Sequence, residues 1–120
     1  MKIKWLNEPE DHDYPAAVSY LSLIYKDYEV TRIVERLKQE KNIKLFKAKD
    51  IFRASELPLL KHDNSHVNKN IEKIKNGKEL SPILLVRDKF GVKCIIADGY
   101  HRVCAVYCYD EDALIPCKIV

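Results

Sequence analysis

Apolar residues recur at three- and four-residue intervals through Val18, Leu21, Ile24 and Tyr25, a spacing that predicts a helix over residues 15–26. Asp13 stands where an N-cap belongs, and Pro15 fits a first helical turn, where its missing N–H costs nothing. Val30, Ile33, Val34 and Leu37 repeat the pattern over residues 29–40, with Glu35 and Lys38 on the wet side. The break at residues 26–28 is short, so the two helices are expected to form an antiparallel hairpin. After Asn42 the period changes. Ile43, Leu45 and Phe46 predict a short strand, residues 49–54 a helical turn, and residues 56–60 an irregular connection. Val67, Ile71 and Ile74 make the inner face of a helix over residues 66–76, with caps available in Asp63-Asn64-Ser65 and a stop at Gly77. Continuous apolar runs predict buried strands at residues 82–87 and 92–97, with Phe90-Gly91 in the hairpin turn between them. Residues 100–109 read as a helix. Residues 115–120 read as a last strand, at an edge or inside, that starts at Pro116. The order predicts an α+β fold with a small mixed sheet, in which residues 1–41 form a helical hairpin packed on a main domain of residues 42–120.

Composition narrows the class without naming a function. A chain of 120 residues with 47% apolar and 32% charged residues is one ordinary globular domain. The net charge is only +3 and the Lys and Arg residues are dispersed, so electrostatics alone makes no case for a nucleic-acid binder. No apolar run approaches the roughly 18 to 20 residues that span a bilayer, and the opening MKIKWLNEPEDHD has no apolar signal core. A cytoplasmic protein without a membrane partner is expected. Cys94, Cys104, Cys108 and Cys117 lack CxxC spacing and are expected as reduced, buried thiols. Cys104 and Cys108, four apart on one helix, have the spacing of two zinc ligands, but Ala105, Val106 and Tyr107 around them read as packing residues.

The chemistry concentrates where Ile95-Ile96-Ala97 runs into Asp98-Gly99 and directly into a helix. A helix that starts there leaves its first N–H groups unpaired and places the positive end of its dipole at the turn, where phosphate binds. Gly99 lets the backbone approach a ligand, and His101 and Arg102 add donors, Arg102 with a fork suited to phosphate oxygens. Asp98 has two readings. It serves as an N-cap, or, because a carboxylate beside phosphate is repelled unless a cation or proton lies between, as a magnesium ligand or general base. Tyr100 stacks on a base or sugar, or packs on the core. The run Lys61-His62-Asp63-Asn64-Ser65-His66 is a capped helix start that also holds two imidazoles, and Glu10-Asp11-His12-Asp13 is a helix entry or a divalent-ion cluster.

These residues carry a resemblance. Leu80-Ser81-Pro82-Ile83-Leu84-Leu85-Val86-Arg87 followed by the turn and helix of Ala97 to Ala105 resembles the ParB/sulfiredoxin superfamily, from about Lys44 to Val120, roughly two thirds of the chain. Asp98-Gly99-Tyr100-His101-Arg102 is similar to the Asp-Gly-x-His-Arg turn of free serine kinases sharing that fold. The resemblance implies a ParB-like domain whose turn and helix hold the phosphates of ATP, ADP or CTP, with His66 or His62 facing the same cleft as His101. It also directs attention to Lys47 and Asp50 at the end of the first strand, since strand ends beside a phosphate turn often carry catalytic groups; Lys47-Ala48-Lys49 as a solvated edge is the other reading. Tyr100 stands where sulfiredoxins have their catalytic Cys and ParB proteins have Glu, and Cys104 lies a helical turn away, so sulfiredoxin chemistry is not expected. ParB proteins continue into a DNA-reading helix-turn-helix, whereas this sequence ends at Val120, so centromere partitioning is not expected either; DNA stays open as a partner.

Two functions follow. One is a small phosphotransferase, nucleotide hydrolase or nuclease, with Asp98, His101 and Asp50 catalytic, Asp98 holding magnesium, and Gly99, Tyr100, His101, Arg102, Lys47 and His66 binding the nucleotide. The other is a non-catalytic nucleotide sensor or interaction module whose helical hairpin recruits a protein partner. Phosphoryl transfer needs a group that holds metal or takes a proton, and a sensor needs only donors, so Asp98 separates the two.

Overall fold

The computed structural model describes residues 2–88 and 93–120. Its helices are α1 (Asp13–Leu21), α2 (Asp27–Gln39), α3 (Ala48–Ser55), α4 (Ser65–Lys75) and α5 (Tyr100–Tyr109), and its strands are β1 (Lys44–Lys47), β2 (Ile83–Arg87), β3 (Cys94–Asp98) and β4 (Leu114–Ile119). The strands form one mixed sheet in the order β1-β4-β2-β3. β1 pairs with β4 and β2 with β3 in antiparallel fashion, while β2 and β4 run parallel. The protein is therefore α+β, as the alternation of periods predicts. β4 is an inner strand; its parallel ladder with β2 begins at Cys117, so Pro116, which has no N–H to offer, sits one residue outside it. The expected Phe90-Gly91 turn and the start of the strand at Val92 lie outside the described residues.

Alternation along the central strands feeds two cores, one on each face of the sheet. Leu84, Val86 and Ala97 face Tyr14, Ala17 and Leu21 of α1 and Val30, Val34 and Leu37 of α2. Ile83, Leu85 and Ile96 face the other way, into a core shared with Ile51 of α3, Val67 and Ile74 of α4 and Val103 of α5. The face of α1 differs from the expected one: Val18 and Ile24 are 39% and 45% exposed. α1 also stops at Leu21 rather than running to residue 26, because Ser22 Oγ–H donates to Val18 O (2.7 Å) and the Leu23 and Ile24 amides turn back to Tyr20 and Leu21. α2 opens two residues earlier than expected, where the Glu29 carboxylate accepts from the Lys26 amide (3.2 Å).

Residues ahead of α1 divide between the two faces. Trp5 bridges Leu80 in parallel, with Leu6 N–H donating to Leu80 O (2.8 Å) and Leu80 N–H to Lys4 O (2.9 Å), so Ile3 and Trp5 join the core under α3 to α5. Lys118 of β4, only 3% exposed, reaches the hairpin side, where its Nζ donates to Tyr14 Oη (3.1 Å) and pairs with Glu8 (3.3 Å). Among the described residues no helix is long and apolar enough to cross a membrane.

Candidate functional site

β3 ends at Asp98, Gly99 turns the chain with φ +108°, and α5 starts at Tyr100. The first backbone bond into this helix runs from Val103 N–H to Gly99 O (2.9 Å), so the amides of Tyr100, His101 and Arg102 stand ahead of the α5 ladder. Gly99, at the N-cap position, has no side chain to cap them. Asp98, at the N-cap's doorstep, accepts instead from Arg102 Nη2 (3.0 Å), which overturns its reading as an N-cap.

A second helix starts alongside. Asn64 caps α4, its Oδ1 accepting from the amides of His66 (3.0 Å) and Val67 (3.2 Å), so of the three possible caps the middle residue performs the task. We expect Asn64→Ala to lower stability by about 1 kcal/mol in urea denaturation. α4 packs on α5, and His66 and His101, each the second residue of its helix, bring their rings to 4.9 Å between centroids at 43°. Burial, and then the neighbouring His66 ring, holds the His101 pKa below its ordinary value. The Tyr100 ring lies 5.4 Å from that of His101, but its hydroxyl donates to Pro58 O and its ring packs against the core, so it fixes the 57–60 segment to α5.

Asp98, Gly99, Tyr100 and His101 line one open cavity of about 340 Å³, closed on its far wall by Tyr20 of α1 and Leu57. Arg102 points away from this opening. Its guanidinium folds beneath the turn, where Nη2 also donates to Pro82 O (3.3 Å) and lies 3.9 Å from Asp13 Oδ2. Asp13, 1% exposed, accepts from Ser81 Oγ–H and from Glu10 N–H (3.0 Å). Two carboxylates therefore share one guanidinium, whose Nε is buried without a hydrogen-bond partner among the described residues. Burial raises the Asp98 pKa, Arg102 pulls it back down, and the nearby Asp13 raises it again.

The Glu10 to Asp13 run is thus a helix entry in which only Asp13 turns inward, while exposed His12 lies 3.2 Å from Glu10 and 3.5 Å from Asp13. Lys47 and Asp50 do not reach the cavity. Lys47 ends β1 at the same end of the sheet as Asp98 ends β3, but β4 and β2 lie between, about 14 Å across the sheet at ~4.8 Å per strand, and Lys47 pairs with Leu114 while Asp98 lies level with Lys118, further along β4. It sits 3.9 Å from Asp112, which Lys49 also holds at 2.6 Å, and so occupies the solvated edge. Asp50 pairs with Arg53 (3.7 Å) and lines a separate cavity with Arg87 and Cys94. His62 is exposed. Burial raises all four thiols, Cys117 to about 12, so none is a thiolate at neutral pH. Cys104 and Cys117 are buried, but Cys94 is half-buried and Cys108 is exposed, its Sγ–H donating to Leu60 O, so the expectation of four buried thiols holds for two. Among the described residues no three His, Cys, Asp or Glu side chains group as metal ligands.

Asp13, Ser81, Tyr20 and Leu57 were not legible as parts of the site. Asp13 reads as a cap, and the positions of Ser81, Tyr20 and Leu57 relative to Asp98 are set by chain segments distant in sequence. No family model, curated protein or solved structure matches the chain.

Proposed function

We propose that the protein binds a nucleotide or another phosphorylated small molecule where α4 and α5 begin. The observation that carries this reading is the set of three α5 amides ahead of the helical ladder, behind a left-handed Gly99, beside a 340 Å³ cavity that Gly99, Tyr100 and His101 line. His66 adds a second imidazole against the first. Repulsion by Asp98, which would call for a metal beside a bound phosphate, is offset from within, because Arg102 already neutralises the carboxylate from the side away from the cavity. The arrangement favours a binding or sensing module over a phosphotransferase, since Asp98 is engaged by Arg102. One observation keeps the catalytic reading as the second: Asp98 lines the cavity with a raised pKa, as a general base would.

Anion binding is coupled to proton uptake in this reading. With its pKa lowered by burial, His101 resists the charged form in the empty protein. The stability it contributes is present above the unfolded value of about 6.5 and is lost as pH falls through that value toward the folded one. A bound dianion reverses the preference, so affinity rises as pH falls. Titration calorimetry with sulfate, whose charge is constant between about pH 8 and about pH 6, should show tighter binding at the acid end. His101→Gln should flatten that slope and weaken binding by about 1.5–3 kcal/mol. Absence of stabilisation by phosphate, sulfate and the common nucleotides, with and without magnesium, overturns the proposal. Consumption of a bound nucleotide selects the phosphotransferase form.

A further inference from the structure

β3 is the last strand of the sheet, so the outward N–H and C=O groups along its open side have no strand partner among the described residues. α1 covers one face of β3 and α3 the other, which leaves that open side at the bottom of a cleft between the two layers. The cleft has two compartments in series. The one at Gly99 is about 340 Å³, and the next along the strand is about 240 Å³; Tyr20, Leu57 and Ile96 belong to both. Polarity changes along it: amides and imidazole at the α5 end, then an aromatic ring and aliphatic walls, then a Lys93–Glu56 pair at 3.1 Å beside the far compartment. Tyr20 is 41% exposed and Ile24, which lines the far compartment with it, 45%, so the end of α1 and the turn after it present apolar surface to an open slot rather than to the core.

We infer that the ligand is a nucleotide whose base lies between Tyr20 and Leu57, with its polar edge on the open side of β3. This rests on the phosphate-binding reading above and goes beyond it by naming what the phosphate is attached to. A base has flat apolar faces and a rim of donors and acceptors, which matches apolar walls over a floor of backbone N–H and C=O groups. An aliphatic phosphate ester has no use for that floor. From Gly99 to Ile96 the strand rises about 10 Å, a span that ribose and its phosphates fill. The helical hairpin is then part of the ligand site, and Tyr20 is its specificity element.

The test is calorimetry of inorganic phosphate, ribose 5-phosphate and AMP, GMP, CMP and UMP with the wild-type chain, Tyr20→Ala and Tyr20→Phe, with melting curves for each variant. At least one nucleotide should bind about 10-fold or more tighter than ribose 5-phosphate. Tyr20→Ala should remove most of that advantage over ribose 5-phosphate, about 5- to 100-fold, while Tyr20→Phe retains it. If phosphate binds but no nucleotide exceeds ribose 5-phosphate, or if folded Tyr20→Ala keeps the full advantage, the base assignment falls and the phosphate site stands. If phosphate does not bind, both fall. Tyr20 lies on the outer side of α1, and a loss of folding confined to Tyr20→Ala but absent in Tyr20→Phe would make the ring a packing residue and overturn the assignment.

Discussion

Replacing Arg102 with Ala is expected to destabilise the protein by about 3 kcal/mol at neutral pH. Removing one member of a buried ion pair costs about 3–5 kcal/mol because the other charge is left without a partner; here the lower end applies, since the Asp98 side chain retains 14% exposure. Asp13, 2% exposed, keeps Ser81 and the Glu10 amide but loses its only nearby cation among the described residues apart from His12. The deficit should depend on pH. With its folded pKa raised, Asp98 contributes stability that is fully present below its unfolded value of 3.8 and is lost as pH rises through the folded value. Without Arg102 that folded value climbs further, so the variant recovers ground against wild type as pH falls. Urea denaturation at about pH 7 and about pH 5 should show the gap narrowing, and His101 affects both proteins alike. Adding Asp98→Asn should restore part of the loss, because it removes the uncompensated charge. A gap independent of pH and unmoved by Asp98→Asn would make Arg102 a packing side chain.

Gly99→Ala should cost about 2–5 kcal/mol, the sum of ~1–2 kcal/mol for left-handed backbone and ~1–3 kcal/mol for overpacking. A Cβ at this position would stand 2.4 Å from Ile83 Cδ1 and 2.9 Å from Arg102 Nη2. Ile83 is fully buried, so its methyl has no free space to move into without disturbing β2. Gly77 supplies the control. It also has a positive φ, +66°, but its Cβ would meet only Lys4 Nζ at 3.7 Å, so Gly77→Ala should show the backbone cost alone. Equal losses in the two variants, measured by thermal or urea unfolding, would remove the steric part of the argument.

Local signals were sufficient where one residue type answers one local need. Gly99 marks the start of α5, and the described helix spans Tyr100–Tyr109 as expected. Val67 and Ile74 lie on the buried face of α4, because their spacing leaves no other stripe to bury. α1 shows the limit. Its sequence offers two apolar stripes, one through Val18 and Leu21 and another through Tyr14, Ala17 and Leu21; the second is buried because Leu84, Val86 and Ala97 lie opposite it. Periodicity cannot choose between stripes that share Leu21.

The candidate site divides along the same line. Asp98, Gly99, Tyr100 and His101 are consecutive, so the turn that brings them to one cavity is a property of that short segment, readable from a strand pattern, a glycine and a helix pattern. His66 is not among the residues lining the cavity, and it meets the His101 ring only because α4 packs on α5. The direction of Arg102, into Asp98, Pro82 O and Asp13 rather than toward a ligand, depends on α1 placing a buried carboxylate under the turn. Lys47 stays apart because strand order sets β1 at the opposite edge from β3, and Asp50 because it lines a cavity with Arg87 and Cys94, at the other end of β3 from Asp98. The sequence by itself determined the α+β class and the strand–glycine–helix turn at Gly99, since both follow from periodicity and from residues a few positions apart. Which charges face the cavity, which lie beneath it, and that Tyr20 forms its wall were decided by tertiary structure, because contacts between distant segments come from the shared burial of whole faces, and no single segment encodes its partner.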